Sequence, residues 1–331
     1  MEIFFETLTP MITLFLCIAI GFAVQRSGIL PDTAGKTLAK LETWVFCPAL
    51  NFITMVRYCT VDSISTHATN VAMASVSVVA AVGIAIFLGR FFVRERCAER
   101  GVYMYALAFA NCGYMGDPIV LGMFGEEVLA YYKLFCLPLC LMIYTWGISV
   151  LTPSDGKKGA ALMRMINPPT VAMLAGIAVG LSGLGGYMPV AVSSALDSLK
   201  GCMGPVAMLL AGMIIARYDV VAMLKNKRVY IATALRLTLL PALIIALLFG
   251  VKELWGLATG SVIGNDALFL CLFATATPLG LNTIVFPEAY GGDPGTGASM
   301  TMISHTLSVI SIPLVYALAV AVLGVPFTAI G

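Results

Sequence analysis

The segment NCGYMGDPIVLGMFG, residues 111–125, lies inside an apolar stretch that otherwise has the composition of a membrane span. It contains an aspartate, a proline and four glycines. Glycine loosens a helix, proline removes a backbone hydrogen bond, and a carboxylate is costly to desolvate. At membrane depth such irregular backbone is tolerated only where it is buried in protein or lines a cavity. The segment therefore predicts a break in a membrane helix.

The composition of the whole chain is typical of a polytopic membrane protein. Of its 331 residues, 60% are hydrophobic and 11% are charged, whereas a soluble domain keeps about 25% of its residues charged. The formal net charge of +2, without a patch that interleaves basic and aromatic residues, excludes nucleic acid as a partner. The nine cysteines lack CxxC spacing and there are only two histidines, so we expect neither a disulfide framework nor a metal site.

Charges and turn residues divide the chain into ten apolar segments, at residues 8–24, 40–57, 70–90, 102–125, 129–151, 168–186, 197–217, 229–250, 266–289 and 298–323. Most of the 19 basic residues lie in the loops after the odd-numbered segments. The loops after segments two, four, six and eight are assigned one each, namely Arg57, Lys133, Lys200 and Lys252. By the positive-inside rule, this alternation predicts ten spans in the cytoplasmic (inner) membrane, with both termini on its outer side.

The first apolar segment follows acidic residues, Glu2 and Glu6, and no small-residue cleavage site is evident after it. We therefore interpret it as a retained first span and not as a signal peptide.

Five spans in each half predict an inverted repeat. WVFCPALNFITMV (44–56) aligns with GCMGPVAMLLAGM (201–213), and DPIVLGMFG (117–125) aligns with NTIVFPEAYG (282–291). The second alignment places Asp117 on Asn282. The predicted organisation is a first repeat at 1–153, a polar cytoplasmic linker at 154–167 and a second repeat at 168–331. The fold class is thus an all-α integral membrane protein with ten transmembrane helices in two inverted five-helix repeats.

Glycine and proline interrupt the fourth segment at GYMGDP (113–118) and the ninth at TPLGLNT (277–283). Such paired interruptions in two halves are typical of a transporter's substrate site. Asp117 before Pro118 has the pattern of a helix N-cap followed by the first helical residue, and Asn282 would cap the matching half-helix. We expect breaks at 116–118 and 281–283 that cross each other. Two positive helix N-termini would then face a carboxylate.

These stretches resemble the auxin efflux carrier family, which includes bacterial malonate and malate carriers. The likeness rests on residues 111–125, on INPPTVAMLAGIAVGL (166–181) and GPVAMLLAGMIIA (204–216), on ATPLGLNTIVFPEAYGGD (276–293) and on SHTLSVISIPL (304–314). The resemblance implies a scaffold domain from spans 1, 2, 6 and 7 and a transport domain from spans 3–5 and 8–10. It also implies an elevator movement and a substrate site where spans four and nine cross.

Two departures from the plant carriers mean that auxin is not implied as the substrate. Plant carriers have a proline at both crossovers, where this chain has Thr283 at the second, and an apolar residue where this chain has Asp117. Their long hydrophilic loop between the halves corresponds here to about fifteen residues.

The predicted substrate-binding residues are Asn111, Gly116, Asp117, Pro118, Pro278, Asn282 and Thr283. The candidates for a coupling ion, H⁺ or Na⁺, are Asp117, Thr275 and Thr277, and secondary candidates are Asn51, Ser304 and His305. An ionisable group at this depth usually marks an ion or substrate pathway. The alternatives are a helix cap for Asp117, threonines bonded back to their own helix, and packing roles for Asn111 and His305.

The sequence favours a secondary transporter of a small organic anion, such as malonate, malate or another weak carboxylic acid, with no cofactor. The alternative is a sodium-coupled symporter of larger amphipathic acids, similar to bile-acid symporters. A membrane-embedded enzyme would need a catalytic constellation, and a sensor would need a soluble signalling domain, and the sequence suggests neither. The expected partners are the substrate anion, membrane lipid and a second copy of the chain in a possible homodimer.

Overall fold

The computed structural model describes residues 2–95, 97–152, 166–260 and 263–323. Almost all of the predicted linker at 154–167 lies outside these residues. Within them the chain folds into helices, and its strand-like pairing is one isolated antiparallel bridge between Ala110 and Leu279. The all-α prediction is confirmed for the described part of the chain.

The first half contains α1 (Glu2–Arg26), α2 (Ala34–Leu41), α3 (Cys47–Tyr58), α4 (Val61–Thr66), α5 (Ala68–Phe92), α6 (Ala98–Ala108), α7 (Asp117–Phe135), α8 (Leu137–Met142) and α9 (Ile148–Leu151). The second half contains α10 (Pro168–Leu181), α11 (Val190–Ala216), α12 (Val220–Leu224), α13 (Lys227–Ala234), α14 (Leu240–Thr259), α15 (Asp266–Ala276), α16 (Asn282–Tyr290) and α17 (Pro294–Leu323). Wider π-helical turns join some of them: π1 (Glu42–Phe46) before α3, π2 (Cys112–Gly116) before α7, π3 (Ile143–Gly147) before α9 and π4 (Leu235–Leu239) before α14. Every predicted apolar segment falls on one of these helical stretches.

Several helices in the described part are long and apolar enough to cross a membrane, namely Ala68–Phe92, Val190–Ala216, the continuous stretch Lys227–Thr259 and Pro294–Leu318. A further candidate is a pair of helices, Glu127–Phe135 and Leu137–Leu151, that bend by 46° at a short break. A hydrophobic helix needs about 20 residues to span the bilayer core. The chain is therefore a multi-pass membrane protein.

Glycines bring two pairs of helices into close backbone contact. A Cβ atom on Gly21 of α1 or on Gly212 of α11 would lie 2.1 or 2.0 Å from a carbonyl oxygen of the facing helix. Gly176 and Gly180 of α10 are similarly close to the backbone of α3. In lipid, helices associate through such close packing because the lipid tails are as apolar as the side chains. Helices α1, α3, α10 and α11 thus pack as one group.

The fourth apolar segment is broken at 109–111, so the predicted break at 116–118 is wrong in position. Phe109 follows α6 in an extended conformation (φ −121°, ψ 131°), and the helix resumes at Cys112. Asp117 lies within the resumed helical run (φ −56°, ψ −53°) and its side chain caps no backbone N–H. Asn111 occupies the non-helical position instead (φ −81°, ψ 55°), and its carbonyl accepts hydrogen bonds from the N–H groups of Met115 and Gly116.

The ninth segment is broken at 277–281, where the chain leaves α15 and enters α16. Asn282 is the first residue of α16 and does not cap it, which corrects the predicted cap. The two breaks pair with each other, because the backbone N–H of Asn111 donates to the carbonyl of Pro278 at 2.7 Å beside the bridge. Tertiary pairing between the halves therefore determines where both helices stop.

Helix α7 reverses at Gly125, whose backbone is left-handed (φ 81°, ψ −174°). The ammonium of Lys133 pairs with the carboxylate of Asp117, 16 positions earlier in the chain. In a straight helix that separation would be about 24 Å, so the chain must fold back between them. Gly291 has a similar backbone (φ 87°, ψ 151°) at the end of α16. The helical run from the break to the glycine covers 112–125 in the first half and 282–291 in the second. Asn282 is the first residue of its run and Asp117 lies further along its own, so the two positions are not equivalent.

The four basic residues that were assigned to even-numbered loops all lie in helices. Arg57 belongs to α3, Lys133 to α7, Lys200 to α11 and Lys252 to α14. That loop assignment is therefore wrong. Arg57 pairs with Asp197 of α11 at 2.5 Å, an ion pair that joins two helices of the glycine-packed group.

Candidate functional site: the crossover cavity

A small cavity lies where the two breaks meet α3, and we call it the crossover cavity. The first break contributes Asn111 and Tyr114 to its wall, the second contributes Asn282, and α3 contributes Asn51. The cavity measures about 40 Å³, which is room for about three water molecules. Lys133 is the charged group in this wall.

Two half-helices start at the crossover cavity. The helical run that begins at Cys112 and the helix that begins at Asn282 both start with wall residues. The first N–H groups of a helix have no acceptor within the helix, and its N-terminus carries a partial positive charge. The two N-termini therefore make the cavity favourable for an anion.

Arg236 binds the C-terminal, negative ends of α6 and α15, the helices that precede the two breaks. Its side chain is 1% exposed in π4, and its guanidinium donates to the carbonyl of Leu107 at 3.2 Å and to that of Thr275 at 2.7 Å. These carbonyls belong to the last turns of α6 and α15, which carry a partial negative charge. One buried cation thus satisfies both helix C-termini, and the positive N-termini lie on the cavity.

Asp117 forms an ion pair with Lys133, and both side chains are mostly buried. The second carboxylate oxygen, Oδ1, has no partner among the described residues. The pair forms because the chain reverses at Gly125, which brings the end of α7 with Lys133 back beside its start at Asp117. A buried carboxylate and ammonium in contact compensate each other's charge.

His305 of α17 orients the side chain of Asn111. Its Nδ1 lies 3.0 Å from the carbonyl of Thr301, an atom that can only accept, so Nδ1 carries the proton. Nε2 must then accept from the Asn111 amide nitrogen at 3.1 Å. The amide oxygen of Asn111 is left without a partner in the described structure. The histidine therefore fixes the orientation of the Asn111 amide at the cavity.

A chain of polar side chains connects Asn282 with two tyrosines and a glutamate. The Asn282 amide nitrogen donates to the Tyr105 hydroxyl at 2.9 Å, and its amide oxygen lies 3.4 Å from the Tyr114 hydroxyl. The same Tyr114 hydroxyl lies 3.2 Å from Oε1 of Glu42. The cavity is thereby linked to a carboxyl group of π1.

The remaining predicted site residues form a shell around the breaks. The hydroxyls of Thr275 and Thr283 bond to the carbonyls of Cys271 and Gly280 on their own chain segments, at 2.7 and 3.0 Å. The hydroxyl of Thr277 is buried and has no partner among the described residues.

Asn51 donates to the carbonyl of Pro169 at 3.1 Å, and Ser304 lies 3.5 Å from Nδ1 of His305. Gly116 ends π2 against the hydroxyl of Tyr132, and Pro118 is the second residue of α7.

Sequence reasoning missed Lys133, Glu42, Tyr114 and the double contact of Arg236. Lys133 was assigned to a loop because the turn was expected between segments four and five. The signal for the earlier turn is Gly125 followed by Glu126 and Glu127. Arg236 was visible as a charge inside an apolar segment, but its two acceptors come from distant parts of the chain.

A multi-pass helical protein in which two broken helices meet at a polar cavity has the architecture of a membrane transporter. A profile of the family described as "Membrane transport protein" matches the chain in two successive stretches, residues 6–161 and 157–316. The chain belongs to this family. The resemblance to auxin efflux carriers is thereby confirmed.

Two archaeal relatives carry a matching description. An uncharacterized transporter of Methanothermobacter thermautotrophicus is 24% identical over 217 residues, which cover 64% of this chain and 68% of that protein. An uncharacterized transporter of Methanocaldococcus jannaschii is 22% identical over 205 residues, which cover 60% of this chain and 65% of that protein. The chain thus spans about two thirds of the length of each relative. It is a membrane transporter and not an enzyme.

Proposed function

We propose that the protein is a secondary active transporter of a small organic anion, a dicarboxylate such as malonate or malate or another weak carboxylic acid. The anion binds in the crossover cavity and crosses the cytoplasmic membrane with H⁺ or Na⁺. The observation that carries this proposal is the distribution of charge at the breaks. Arg236 satisfies the negative helix ends, and the two positive ends face the cavity.

The cavity also bears on the size of the substrate. In this conformation it has room for about three water molecules, and its polar wall groups come from Asn51, Asn111, Asn282 and Lys133. Even a short acid such as malonate needs the wall to open, because it has more non-hydrogen atoms than the roughly three water molecules for which the cavity has room. A larger amphipathic acid of the bile-acid type would need the wall to open widely. The cavity therefore favours the small anion over the sodium-coupled alternative.

The proposed architecture is ten transmembrane helices in two inverted repeats, with both termini outside. Each half carries one broken helix, and each half-helix ends at a glycine with positive φ. The glycine-packed group α1, α3, α10 and α11 fits a scaffold domain, and the elements that carry the two breaks fit a transport domain. An elevator movement would carry the cavity past the scaffold. A homodimer through the scaffold is compatible with the exposed apolar residues of α1, Ile12, Leu16 and Ile20.

Uptake into proteoliposomes tests this function. Radiolabelled malonate and malate are compared with taurocholate under imposed pH and sodium gradients. We expect gradient-dependent uptake of a dicarboxylate and none of taurocholate. Asn282→Ala should abolish uptake, because Asn282 lines the cavity. Asn70→Ala, near the start of α5, is the matched control, and thermal unfolding checks that both variants fold. Taurocholate uptake alone, or full dicarboxylate uptake by folded Asn282→Ala, would refute the proposal.

A further inference from the structure

Glu42 is a fully buried carboxyl group with no cation beside it. Its exposed fraction is 0% in π1, and Oε1 is hydrogen-bonded by the Tyr114 hydroxyl at 3.2 Å. Oε2 has no partner, and Glu42 takes part in no ion pair among the described residues. An isolated ionised carboxylate is far costlier to bury than a neutral one, so such a group binds a proton instead.

Among the described residues, no charge near Glu42 compensates it. Helix α10, which packs against π1, has no titratable residue. The other elements packed against π1 or hydrogen-bonded to it carry the following titratable groups: Lys36 and Lys40 on α2, Cys47, Arg57 and Tyr58 on α3, Asp197, Lys200 and Cys202 on α11, Glu288 and Tyr290 on α16, and Cys112 and Tyr114 in π2. Lys36 and Lys40 are exposed, Lys200 is half-buried, and Arg57 pairs with Asp197. Arg217, which follows α11, pairs with Glu288 at 2.8 Å.

Tyr114 connects Glu42 to the crossover cavity through a single proton. A phenolic hydroxyl donates one hydrogen bond. Here it lies near two oxygen acceptors, Oε1 of Glu42 and Oδ1 of Asn282, and 3.7 Å from the sulfur of Cys47, a weaker donor and acceptor. When Glu42 is protonated, its own O–H can donate to Tyr114, and Tyr114 can donate to Asn282. When Glu42 is ionised, the Tyr114 proton turns towards Glu42. The amide oxygen of Asn282 then loses its donor.

The orientation of the Tyr114 proton alters the anion affinity of the cavity. Asn282 lines the cavity, and an amide oxygen without a donor repels a carboxylate. Protonation of Glu42 removes this unfavourable acceptor, so proton and anion binding favour each other, as linkage requires. π-Helical turns are frequent at functional sites, and both Glu42 and Tyr114 lie in one.

We propose that Glu42 is the proton-binding site that couples transport to the proton gradient, and that Tyr114 relays its protonation state to Asn282. Glu42 directly precedes α3 of the proposed scaffold, so it does not travel with the cavity. It binds a proton from one side of the membrane while Tyr114 contacts it, and it releases the proton to the other side, where the anion leaves, after the elevator movement has carried Tyr114 away. This inference rests on the proposed transport function. It assigns coupling to Glu42 and not to Asp117, whose charge Lys133 already compensates.

Infrared spectroscopy of the purified protein tests the proton site without any transport. At neutral pH the wild type should show the carbonyl stretch of a buried protonated carboxylic acid. Glu42→Gln should lose that band, and Glu253→Gln, an exposed carboxylate on α14, should retain it. A band that persists unchanged in Glu42→Gln overturns the assignment. This result stands whether or not a dicarboxylate proves to be the substrate.

Transport in proteoliposomes tests the coupling, with malonate as the probe and the membrane potential clamped by potassium and valinomycin. Symport of one proton sustains about tenfold accumulation per pH unit, because a tenfold concentration ratio corresponds to about 1.4 kcal/mol. The wild type and Glu253→Gln should reach this ratio. Glu42→Gln should show no accumulation but retain malonate exchange at equal pH. Tyr114→Phe should keep the infrared band and lose accumulation, and full accumulation in either site variant overturns the proposal.

Discussion

Asp117 and Glu42 are both buried carboxyl groups near the crossover cavity, yet their surroundings differ. Asp117 contacts the ammonium of Lys133, whereas within the described structure the hydrogen-bond partner of the Glu42 carboxyl group is the hydroxyl of Tyr114. An ion pair holds the carboxylate in its charged form, and an apolar site with one neutral donor holds the acid in its neutral form. Depth in the membrane alone therefore does not identify the residue that exchanges a proton. The group that contacts each carboxyl determines whether it can exchange a proton.

Removing the cation should have the largest effect on stability. Lys133→Met leaves the Asp117 carboxylate buried without its partner, and breaking one side of a buried pair costs about 3–5 kcal/mol. Thermal unfolding in detergent should show a clear loss of stability. The double variant Lys133→Met/Asp117→Leu is the control, because it leaves no charge behind, and it should recover much of the loss. Equal instability of the single and double variants would contradict a compensated pair.

Arg236 provides a third case, a buried cation held by carbonyl groups instead of a carboxylate. Arg236→Lys keeps the charge but cannot reach the carbonyls of both Leu107 and Thr275, since an ammonium lacks the fork of the guanidinium. One buried acceptor loses its donor, which costs about 1–3 kcal/mol. The same unfolding measurement should place this variant between Lys133→Met and wild type. Arg228→Lys on the exposed face of α13 is the control, and we expect it to unfold like wild type.

Glu42→Gln should have the smallest effect on stability. The amide has nearly the shape of the neutral acid, and its oxygen can still accept from Tyr114, so the free energy of unfolding should change by no more than about 0.5 kcal/mol, as for a substitution that removes no partner. Asp117→Asn, which removes the partner of Lys133, should be clearly less stable than Glu42→Gln. If Glu42→Gln were the less stable of the two, Glu42 would be a charged structural residue and the comparison would fail.

Much of the fold was predictable from sequence, because apolar periodicity and the placement of glycine and proline act locally. The ten apolar segments coincide with helical stretches, and the fourth and ninth are broken as predicted. The positions of the breaks were not predictable. Asp117–Pro118 has a good local N-cap pattern, but the bridge between Ala110 and Leu279 moves the break upstream.

The candidate site was predictable only in part for the same reason. Asn111 and Asn282 lie at the cavity, as the broken segments suggested. Lys133 and Glu42 were not recognised as site residues, since each depends on a partner elsewhere in the chain, Asp117 for Lys133 and Tyr114 for Glu42. Asp117 had the local pattern of a helix N-cap, but it caps nothing and pairs with Lys133 instead. Local pattern cannot reveal an ion pair that depends on a chain reversal at Gly125.

The pairing of the two breaks has a consequence for how the protein is made. Contacts across the crossover join residues as far apart as Tyr105 and Asn282, 177 positions along the chain. During synthesis the first broken helix enters the bilayer long before the second emerges from the ribosome, so the open backbone near Asn111 has no Pro278 carbonyl to bind. Unpaired backbone groups are poorly tolerated in lipid. We therefore expect the first broken helix to stay incompletely packed until the ninth segment is synthesised. In that interval the translocon or a membrane chaperone would protect its unpaired backbone groups.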